Sequence, residues 1–248
     1  MALPTAPDTL VVSEIVPSTV VGDGPLAGWR CALIRLGGCN LACTWCDVAY
    51  AWDGSRVDLR IDLALRLVRN IVAEAMSADP GLVLITGGEP LLQQRNPGWA
   101  ALLESLREHG VELELHTNGT LAPTAVTAEQ VHRFVVSPKL GHSGEPTWTR
   151  IKPEALAVWA ELARAGKVAF SFVVRDQMDV RTVSTLAAVH DIPSNLVWIS
   201  PEGTSRSRVL DVTADVAETT VDHGFNLATR VGVLVAGGRV AAGKVAAV

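Results

Sequence analysis

Short apolar runs alternate along the chain with segments in which apolar residues recur at helical spacing. Apolar runs of strand length that end in glycine or proline are typical of buried strands, and spacings of three and four residues are typical of amphipathic helices. The pattern predicts strands over residues 10–16, 31–36, 82–86, 111–120, 132–139, 168–174, 196–200 and 225–235. It predicts helices over residues 62–76, 99–108, 153–165, 179–190 and 211–223, the first of them capped by Asp62.

This alternation of strands and helices, joined by short connections, indicates an α/β fold with mostly parallel strands. No linker or repeat divides it, so residues 1–248 are expected to form one domain, with a loosely ordered tail from about residue 236. A doubly wound sheet and an open, partial barrel of the TIM type both fit the alternation. Polar motifs follow the strands at their carboxyl ends, which favours the partial barrel because barrel-type sites gather at that end. These motifs come directly after Leu36, Ile85, Leu115, Val136 and Ile199.

The 248-residue chain contains no apolar run long enough for a membrane-spanning helix, and its first residues lack the basic and apolar regions of a signal peptide. A soluble, cytoplasmic protein is therefore expected, in which clustered cysteines are more often metal ligands than disulfides. The net charge is −5 and the basic residues are scattered, whereas nucleic-acid-binding proteins carry basic surfaces that neutralise phosphates. The composition therefore argues against a nucleic-acid partner and favours a small-molecule substrate.

Three of the four cysteines, Cys39, Cys43 and Cys46, lie in a glycine-opened loop after the second predicted strand. Their odd number and a reducing compartment disfavour a disulfide. A structural zinc site needs four ligands, of which the fourth would be Cys31, His116 or another remote residue. A 4Fe–4S cluster held by three cysteines needs nothing further and leaves one iron open for chemistry. The spacing therefore favours an iron–sulfur cluster, and Cys31 is interpreted as a core residue.

Arg35 and the glycine-containing segment 20–28 each have a structural and a functional interpretation. Arg35 lies within an apolar strand and needs an anionic partner, which is either a structural carboxylate or an anionic substrate. The segment 20–28 forms either a surface loop or a loop that faces the substrate.

The spacing Cys-x3-Cys-x2-Cys, with Trp45 before the last cysteine, resembles the signature of the radical S-adenosylmethionine enzymes. The run Gly87-Gly88-Glu89-Pro90 resembles the second motif of these enzymes, whose backbone contacts the amino group of the methionine. A narrower resemblance, to the 7-carboxy-7-deazaguanine synthases, covers most of the chain. It is carried by residues 14–53, by TGGEPLL at 86–92, HTNGTL at 116–121, VVSPKL at 135–140 and SPEGT at 200–204.

This resemblance implies a partial barrel of the radical S-adenosylmethionine type, which usually dimerises, requires magnesium and is reduced by a protein such as flavodoxin or ferredoxin. The implied reaction converts 6-carboxy-5,6,7,8-tetrahydropterin to 7-carboxy-7-deazaguanine by hydrogen abstraction, radical ring contraction and loss of ammonia, a step toward queuosine and other deazapurines. Cys39, Cys43 and Cys46 match the cluster ligands. The positions that match S-adenosylmethionine contacts are Trp45, Asp47, Gly88, Ser137, Pro138, Lys139, Ser200, Pro201, Glu202 and Gly203. Those that match substrate contacts are Val21, Gly22, Arg35 and Thr86.

Several departures from the family pattern fall at substrate and magnesium positions. Val21 begins Val-Gly-Asp-Gly where Gln-Gly-Glu-Gly is common, and Val48 replaces a threonine whose hydroxyl helps to bind magnesium. His116 replaces a glutamate, and Gly232 stands where a histidine is frequent. Glu89 is expected to be positioned by its motif, and His116 is a candidate acid or base by its location. Two alternatives therefore stay open: a radical enzyme that acts on another heterocycle, and a non-enzymatic zinc or iron–sulfur protein.

Overall fold

The computed structural model describes residues 8–55 and 63–236. Its strands are β1 (Thr9–Val20), β2 (Arg30–Leu36), β3 (Ala64–Leu67), β4 (Leu82–Gly87), β5 (Glu112–Thr117), β6 (Arg133–Val136), β7 (Val168–Val174), β8 (Val197–Pro201) and β9 (Asn226–Leu227). Its α-helices are α1 (Val68–Ala75), α2 (Pro97–Glu108), α3 (Ala125–Gln130), α4 (Thr147–Arg150), α5 (Pro153–Arg164), α6 (Gln177–Val189), α7 (Arg206–Asp222) and α8 (Val231–Ala236). None of the helices in this part of the chain is long and apolar enough to cross a membrane.

The strands form one nine-stranded sheet in the order β3-β1-β2-β4-β5-β6-β7-β8-β9. The successive pairs in the series β2-β4-β5-β6-β7-β8-β9 are parallel, and β1 pairs antiparallel with both β2 and β3. The sheet does not close on itself, since β3 and β9 lie at its two edges. The predicted open barrel of mostly parallel strands is confirmed.

The two faces of the sheet bury different sets of residues, as alternate positions of β2 illustrate. Ala32, Ile34 and Leu36 belong to the larger core, which the helices cover. Cys31 and Leu33 belong to a smaller apolar cluster on the inner face. Because successive strand residues point to opposite faces, a strand buried on both sides reads as an uninterrupted apolar run. This explains why CALIRL was recognisable as a strand, and it confirms Cys31 as a fully buried core residue.

The prediction of a helix over 62–76 is wrong in its first part. Residues Ala64–Leu67 form β3, which pairs antiparallel with β1, and the helix begins only at Val68. An edge strand gains hydrogen bonds from a partner distant in sequence, which local helical spacing does not reveal. The proposed cap Asp62 lies outside the described residues.

The prediction of a strand over 225–235 is also largely wrong. Only Asn226–Leu227 pair with β8, and residues Val231–Ala236 are helical. A short apolar run cannot be assigned to strand or helix by periodicity alone. The helix predicted over 211–223 begins earlier, at Arg206, where the Ser205 hydroxyl accepts a hydrogen bond from the amide of Arg208. The proposed loose tail falls almost entirely outside the described residues.

Candidate functional site

A cavity lies at the carboxyl ends of the parallel strands, where the polar motifs were predicted to meet. Most of the residues assigned to the site from the sequence line it, namely Arg35, Cys39, Cys43, Trp45, Cys46, Asp47, Thr86, Gly88, Ser137 and Lys139. Residues that line it without having been assigned a binding role include Asp23, Gly24, Val48, Trp52, His116, Asn118, Ser171 and Arg230. The fold therefore brings residues of five neighbouring strands, β2, β4, β5, β6 and β7, to one cavity, as expected of a barrel-type site.

The segment 20–28 does face the cavity, but through other residues than those assigned. Val21 is fully buried in the inner apolar cluster, and neither it nor Gly22 lines the cavity. Asp23 and Gly24 line it instead. The hydroxyl of Ser200 donates a hydrogen bond to Asp23 at 2.6 Å, so residue 200 supports this loop rather than lining the cavity.

The other assigned residues of the segment after β8, Pro201, Glu202 and Gly203, also lie outside the cavity wall, as does Pro138. Glu202 pairs with Arg208 at 3.4 Å, and the carbonyl of Gly203 accepts a hydrogen bond from Arg230.

Residues 37–47, which carry Cys39, Cys43 and Cys46, form the cysteine loop. This loop packs directly against the Gly87-Gly88-Glu89-Pro90 motif. The amide of Gly88 donates to the carbonyl of Leu36 at 3.2 Å, and the amide of Glu89 donates to the carbonyl of Gly38 at 2.8 Å. A Cβ atom at residue 88 would lie 2.3 Å from the carbonyl oxygen of Gly38 and 2.9 Å from the Cβ of Cys39. Glycine at residue 88 is therefore required for this close approach of two backbones.

The three thiols of Cys39, Cys43 and Cys46 are free, half-buried and directed at the same cavity. Burial, together with the negative charge of Glu89, raises the pKa of Cys39 to about 12, although the amide of Leu41 acts in the opposite direction. Burial also raises the pKa of Cys43. Iron binding must therefore displace protons from these thiols, as metal binding to cysteine generally does.

The arrangement of the thiols fits a cluster with several irons better than a single metal ion. Within residues 8–55 and 63–236, no three His, Cys, Asp or Glu side chains lie close enough together to hold one ion. Cys31, one proposed fourth zinc ligand, is fully buried in the inner cluster, and burial raises its pKa to about 12. The other, His116, is 2.8 Å from Glu114. Three separated thiolates, each bonded to a different iron, are what a 4Fe–4S cluster requires.

Glu89 is fully buried and connects the glycine-rich motif to the end of β5. Its carboxylate accepts hydrogen bonds from the amides of Leu91 and Asn118, at 3.0 and 2.7 Å, and from the hydroxyl of Thr117 at 2.9 Å. Burial raises its pKa even though these donors favour the charged form. Glu89 thus fixes two loops relative to each other, in agreement with the prediction that its motif positions it.

Arg35 combines the two interpretations that the sequence left open. Its Nε donates a hydrogen bond to Glu14 at 3.0 Å, and the hydroxyl of Tyr50 donates to the same carboxylate oxygen at 3.0 Å. A structural carboxylate is therefore present. Arg35 also lines the cavity beside Thr86, its register partner on β4, so the guanidinium contributes positive charge to the cavity wall.

Trp45 lies between a cation and a buried imidazole. The Nζ of Lys139 is 5.5 Å from the centre of its ring, and the ring of His142 is 5.5 Å away. His142 is in turn 3.3 Å from Asp179, although burial keeps the pKa of His142 below its usual value. These contacts attach the cysteine loop to the segment after β6 and to helix α6.

Arg230 is the functional residue that the sequence analysis missed most clearly. It is almost completely buried, and its Nη2 donates to the Oδ2 of Asp47 at 2.6 Å while its Nη1 donates to the carbonyl of Gly203 at 2.9 Å. Burial alone would lower the pKa of Arg230, but the carboxylates of Asp47, Asp23 and Glu202 outweigh it and raise that pKa. A single cation in an apolar run, the signal that identified Arg35, was also available here.

The chain is similar to known proteins in both sequence and fold. Residues 33–135 match the family model described as the radical SAM superfamily. The chain is 36% identical to a 7-carboxy-7-deazaguanine synthase of Hyperthermus butylicus, over 91% of this chain and 92% of the relative. It is 30% identical to the synthase of Pyrobaculum aerophilum, over 90% and 93% of the two chains.

The fold is shared with solved structures. The crystal structure of QueE from Escherichia coli superposes with a TM-score of 0.66 at 22% identity, covering 89% of this chain and 93% of that one. Streptococcus suis SuiB bound to S-adenosylmethionine gives a TM-score of 0.51 at 16% identity, covering 77% of this chain and 44% of that one. The nearly full-length similarity to the two curated synthases places the chain in a defined family: it belongs to the 7-carboxy-7-deazaguanine synthases of the radical S-adenosylmethionine superfamily.

Proposed function

We propose that this enzyme converts 6-carboxy-5,6,7,8-tetrahydropterin to 7-carboxy-7-deazaguanine with loss of ammonia. The observation that carries the proposal is the meeting, in one cavity, of the three cysteine thiols with Arg35, Thr86 and His116. The names of the two full-length relatives supply the product. A cavity of this kind holds a reactive centre and a substrate side by side, shielded from water by the barrel.

Cys39, Cys43 and Cys46 would hold the cluster, and S-adenosylmethionine would occupy the adjacent part of the cavity. When bound, the cluster and S-adenosylmethionine supply one-electron chemistry that starts with removal of a hydrogen atom from the substrate. The protein contributes positioning: Gly88 offers unobstructed backbone, Lys139 offers a cation near Trp45, and Asp47 is held in place by Arg230.

The remaining assigned positions would bind S-adenosylmethionine at the edge of the cavity. Ser137 lines the cavity and accepts a hydrogen bond from the ammonium of Lys139 at 2.9 Å. Pro138 follows it directly, and the segment from Ser200 to Gly203 is tied to the cavity wall through Asp23 and Arg230. SuiB, which shares this fold, is described as bound to S-adenosylmethionine.

The substrate would lie against the inner face of the sheet, with its carboxylate directed to Arg35. Thr86 is next to Arg35, and His116 lines the same cavity. Asp23 and Gly24 replace Val21 and Gly22 as the proposed contacts from the segment 20–28, because they line the cavity and Val21 is buried.

The residues around Asp47 do not fit a magnesium ion. Magnesium requires oxygen ligands, and the side chain of Val48 provides none. The Oδ2 of Asp47 accepts the 2.6 Å hydrogen bond from Arg230, so this carboxylate already has a cationic partner. We therefore assign no step of the reaction to magnesium.

We further propose, from the family resemblance, that the whole chain forms one domain and acts as a cytoplasmic homodimer reduced by flavodoxin or ferredoxin. The uninterrupted alternation of strands and helices in a single sheet supports the one-domain assignment.

The test is anaerobic reconstitution with iron and sulfide, followed by turnover with S-adenosylmethionine and the tetrahydropterin. We expect a brown protein that forms 7-carboxy-7-deazaguanine and ammonia in equal amounts. A protein that forms 5′-deoxyadenosine but no deazapurine would show that the substrate is another heterocycle, as the departures at Val48 and His116 allow. A colourless protein that retains zinc and leaves S-adenosylmethionine intact would overturn the proposal.

A further inference from the structure

Strand β5 carries a histidine and a glutamate on the same face, directly beneath the cavity. Glu114 and His116 are two residues apart and therefore point to the same side of the sheet. The Nε2 of His116 is 2.8 Å from the Oε1 of Glu114. The Glu114 side chain is 1% exposed, whereas that of His116 is 14% exposed and lines the cavity.

This contact defines which nitrogen of His116 can exchange a proton with the substrate. An ionised carboxylate only accepts hydrogen bonds, so Nε2 carries the proton that it shares with Glu114. In the neutral ring, Nδ1 then holds the free electron pair. Within the described residues, Nδ1 makes no hydrogen bond and is not completely buried. Because His116 lines the cavity, Nδ1 is accessible from it.

Among the described residues, the shorter of the two ion pairs of Glu114 is the one with His116. Arg133, opposite it on β6, is 3.8 Å away and forms its closer ion pair with Glu112. On the other side Glu114 lies opposite Leu84 of β4, and the buried thiol of Cys31 is near enough that the charge of Glu114 adds to burial in raising the Cys31 pKa. A carboxylate buried among such neighbours is costly unless it is paired. The imidazole is therefore the group that both satisfies Glu114 and connects it to the cavity.

The other acidic groups at or next to the cavity already accept hydrogen bonds from groups of the protein. Glu89 accepts three hydrogen bonds from the protein, as described above, and Asp47 accepts one from Arg230. Asp23 accepts from Ser200 and from the amide of Gly24. Among the carboxylates and imidazoles lining the cavity in the described residues, His116 is thus the group that has both an accessible nitrogen and an orienting partner.

We propose that His116 transfers the proton in the loss of ammonia, with Glu114 as its positioning residue; this inference rests on the proposed function. Nδ1 takes the proton from a ring carbon, and the electrons of that C–H bond form the new ring double bond. The C–N bond to the neighbouring carbon breaks, and its electron pair leaves with the nitrogen. Nδ1 then returns the proton to that nitrogen, so His116 ends as it began. Glu114 holds the tautomer and stabilises the ring while it is positively charged.

The experiment compares cluster-loaded wild-type protein with His116→Gln, Glu114→Gln and the matched control Glu112→Gln. Glu112 lies on the same strand and also pairs with Arg133, but it is exposed and remote from the cavity. For His116→Gln we expect product formation to fall by about 10²- to 10⁴-fold, the usual contribution of a general acid–base group. For Glu114→Gln we expect a fall of about 10- to 100-fold, the loss of a hydrogen bond to a charged group. Formation of 5′-deoxyadenosine should continue in both variants, and Glu112→Gln should match the wild type.

A rescue experiment separates proton transfer from a structural role. The variant His116→Gly should regain product formation when imidazole is added, because a free base can occupy the vacated space. A His116→Gln variant that makes product at the wild-type rate would overturn this inference alone. So would variants that fold and hold their cluster but form neither 5′-deoxyadenosine nor product, since His116 would then act before the elimination. Wild-type protein that forms 5′-deoxyadenosine without deazapurine would instead overturn the proposed function and this inference with it.

Discussion

The guanidinium of Arg230 donates a hydrogen bond to Asp47 at 2.6 Å, across 183 positions of sequence. Asp47 directly follows the last cysteine of the cysteine loop, and Arg230 directly precedes helix α8. A second hydrogen bond joins Arg230 to the carbonyl of Gly203, in the segment after β8. One buried cation therefore fixes two segments that are proposed to bind S-adenosylmethionine.

Replacing Arg230 by alanine should weaken both the fold and cofactor binding. The variant leaves the carboxylate of Asp47 without its cation, and breaking a buried ion pair costs about 3–5 kcal/mol of unfolding free energy. We expect urea denaturation to show a loss of this size and calorimetry to show weaker binding of S-adenosylmethionine.

The matched control for this prediction is Arg208→Ala. Arg208 pairs with Glu202 in the same region, but its side chain is 47% exposed. An exposed pair contributes about 0–1 kcal/mol, so this variant should remain close to the wild type. Equal losses of stability in the two variants would show that the Arg230–Asp47 pair has no special role.

Turnover should not depend on added magnesium. The reason is the combination of Val48, which has no oxygen, with an Asp47 carboxylate that already binds a cation. The measurement is the initial rate in metal-depleted buffer with and without magnesium chloride. The double variant Val48→Thr with Arg230→Met restores a hydroxyl and removes the cation, and a magnesium requirement is expected to emerge there. A wild-type rate that saturates with magnesium would contradict this account.

The positions of strands such as β2 and β4 were predictable because these strands are buried on both faces and read as apolar runs. The buried strand β2, with its cysteine loop, is the best example. The edge strand β3 was not predictable, because its structure depends on pairing with β1, more than fifty positions away in sequence. Tertiary pairing overrides local spacing at such an edge.

The candidate site was predictable where a residue type and a motif coincided, as for the three cysteines and Gly88. Arg35 was found because a cation interrupts an apolar strand, and the same signal was present at Arg230 within the run 225–235 but was overlooked. Glu114 was not singled out, since alternating glutamates usually indicate an exposed strand face. The structure distinguishes the two by burial, since Glu114 is almost completely buried and Glu112 is exposed.

Asp179 should stabilise the protein at neutral pH and lose that effect in acid. Burial acts to raise the pKa of Asp179, but hydrogen bonds from Arg175 and the charges of His142 and Arg175 outweigh it, so the pKa lies below its usual value. A carboxyl group with a depressed pKa in the folded state stabilises above its unfolded pKa, about 3.9, and the effect is lost as the pH falls through the folded value.

The measurement is urea denaturation of Asp179→Asn and of the wild type, from pH 7 down to a pH below the depressed pKa of Asp179. At pH 7 we expect the variant to be less stable by about 1 kcal/mol, discounted because Arg175 is half exposed. The two proteins should converge in stability below the depressed pKa. The exposed control Asp211→Asn should track the wild type throughout, and a constant difference between Asp179→Asn and wild type at every pH would exclude a charge effect.

Gly88→Ala should prevent normal cluster assembly, because the added Cβ would lie 2.3 Å from the carbonyl oxygen of Gly38 and 2.9 Å from the Cβ of Cys39. Both neighbours belong to the cysteine loop, so the clash is relieved only by moving the loop that carries the ligands. Overpacking of this kind destabilises the folded protein by about 1–3 kcal/mol. The loop can relieve this strain by shifting, which moves its thiols away from the positions that bind the cluster. We expect iron and sulfide content after reconstitution to fall well below that of the wild type. The matched control is Gly81→Ala at the other end of β4, where an added Cβ meets nothing within 4 Å. This control should load fully, and a Gly88→Ala variant that loads equally well would show that the loop does not depend on the close contact at residue 88.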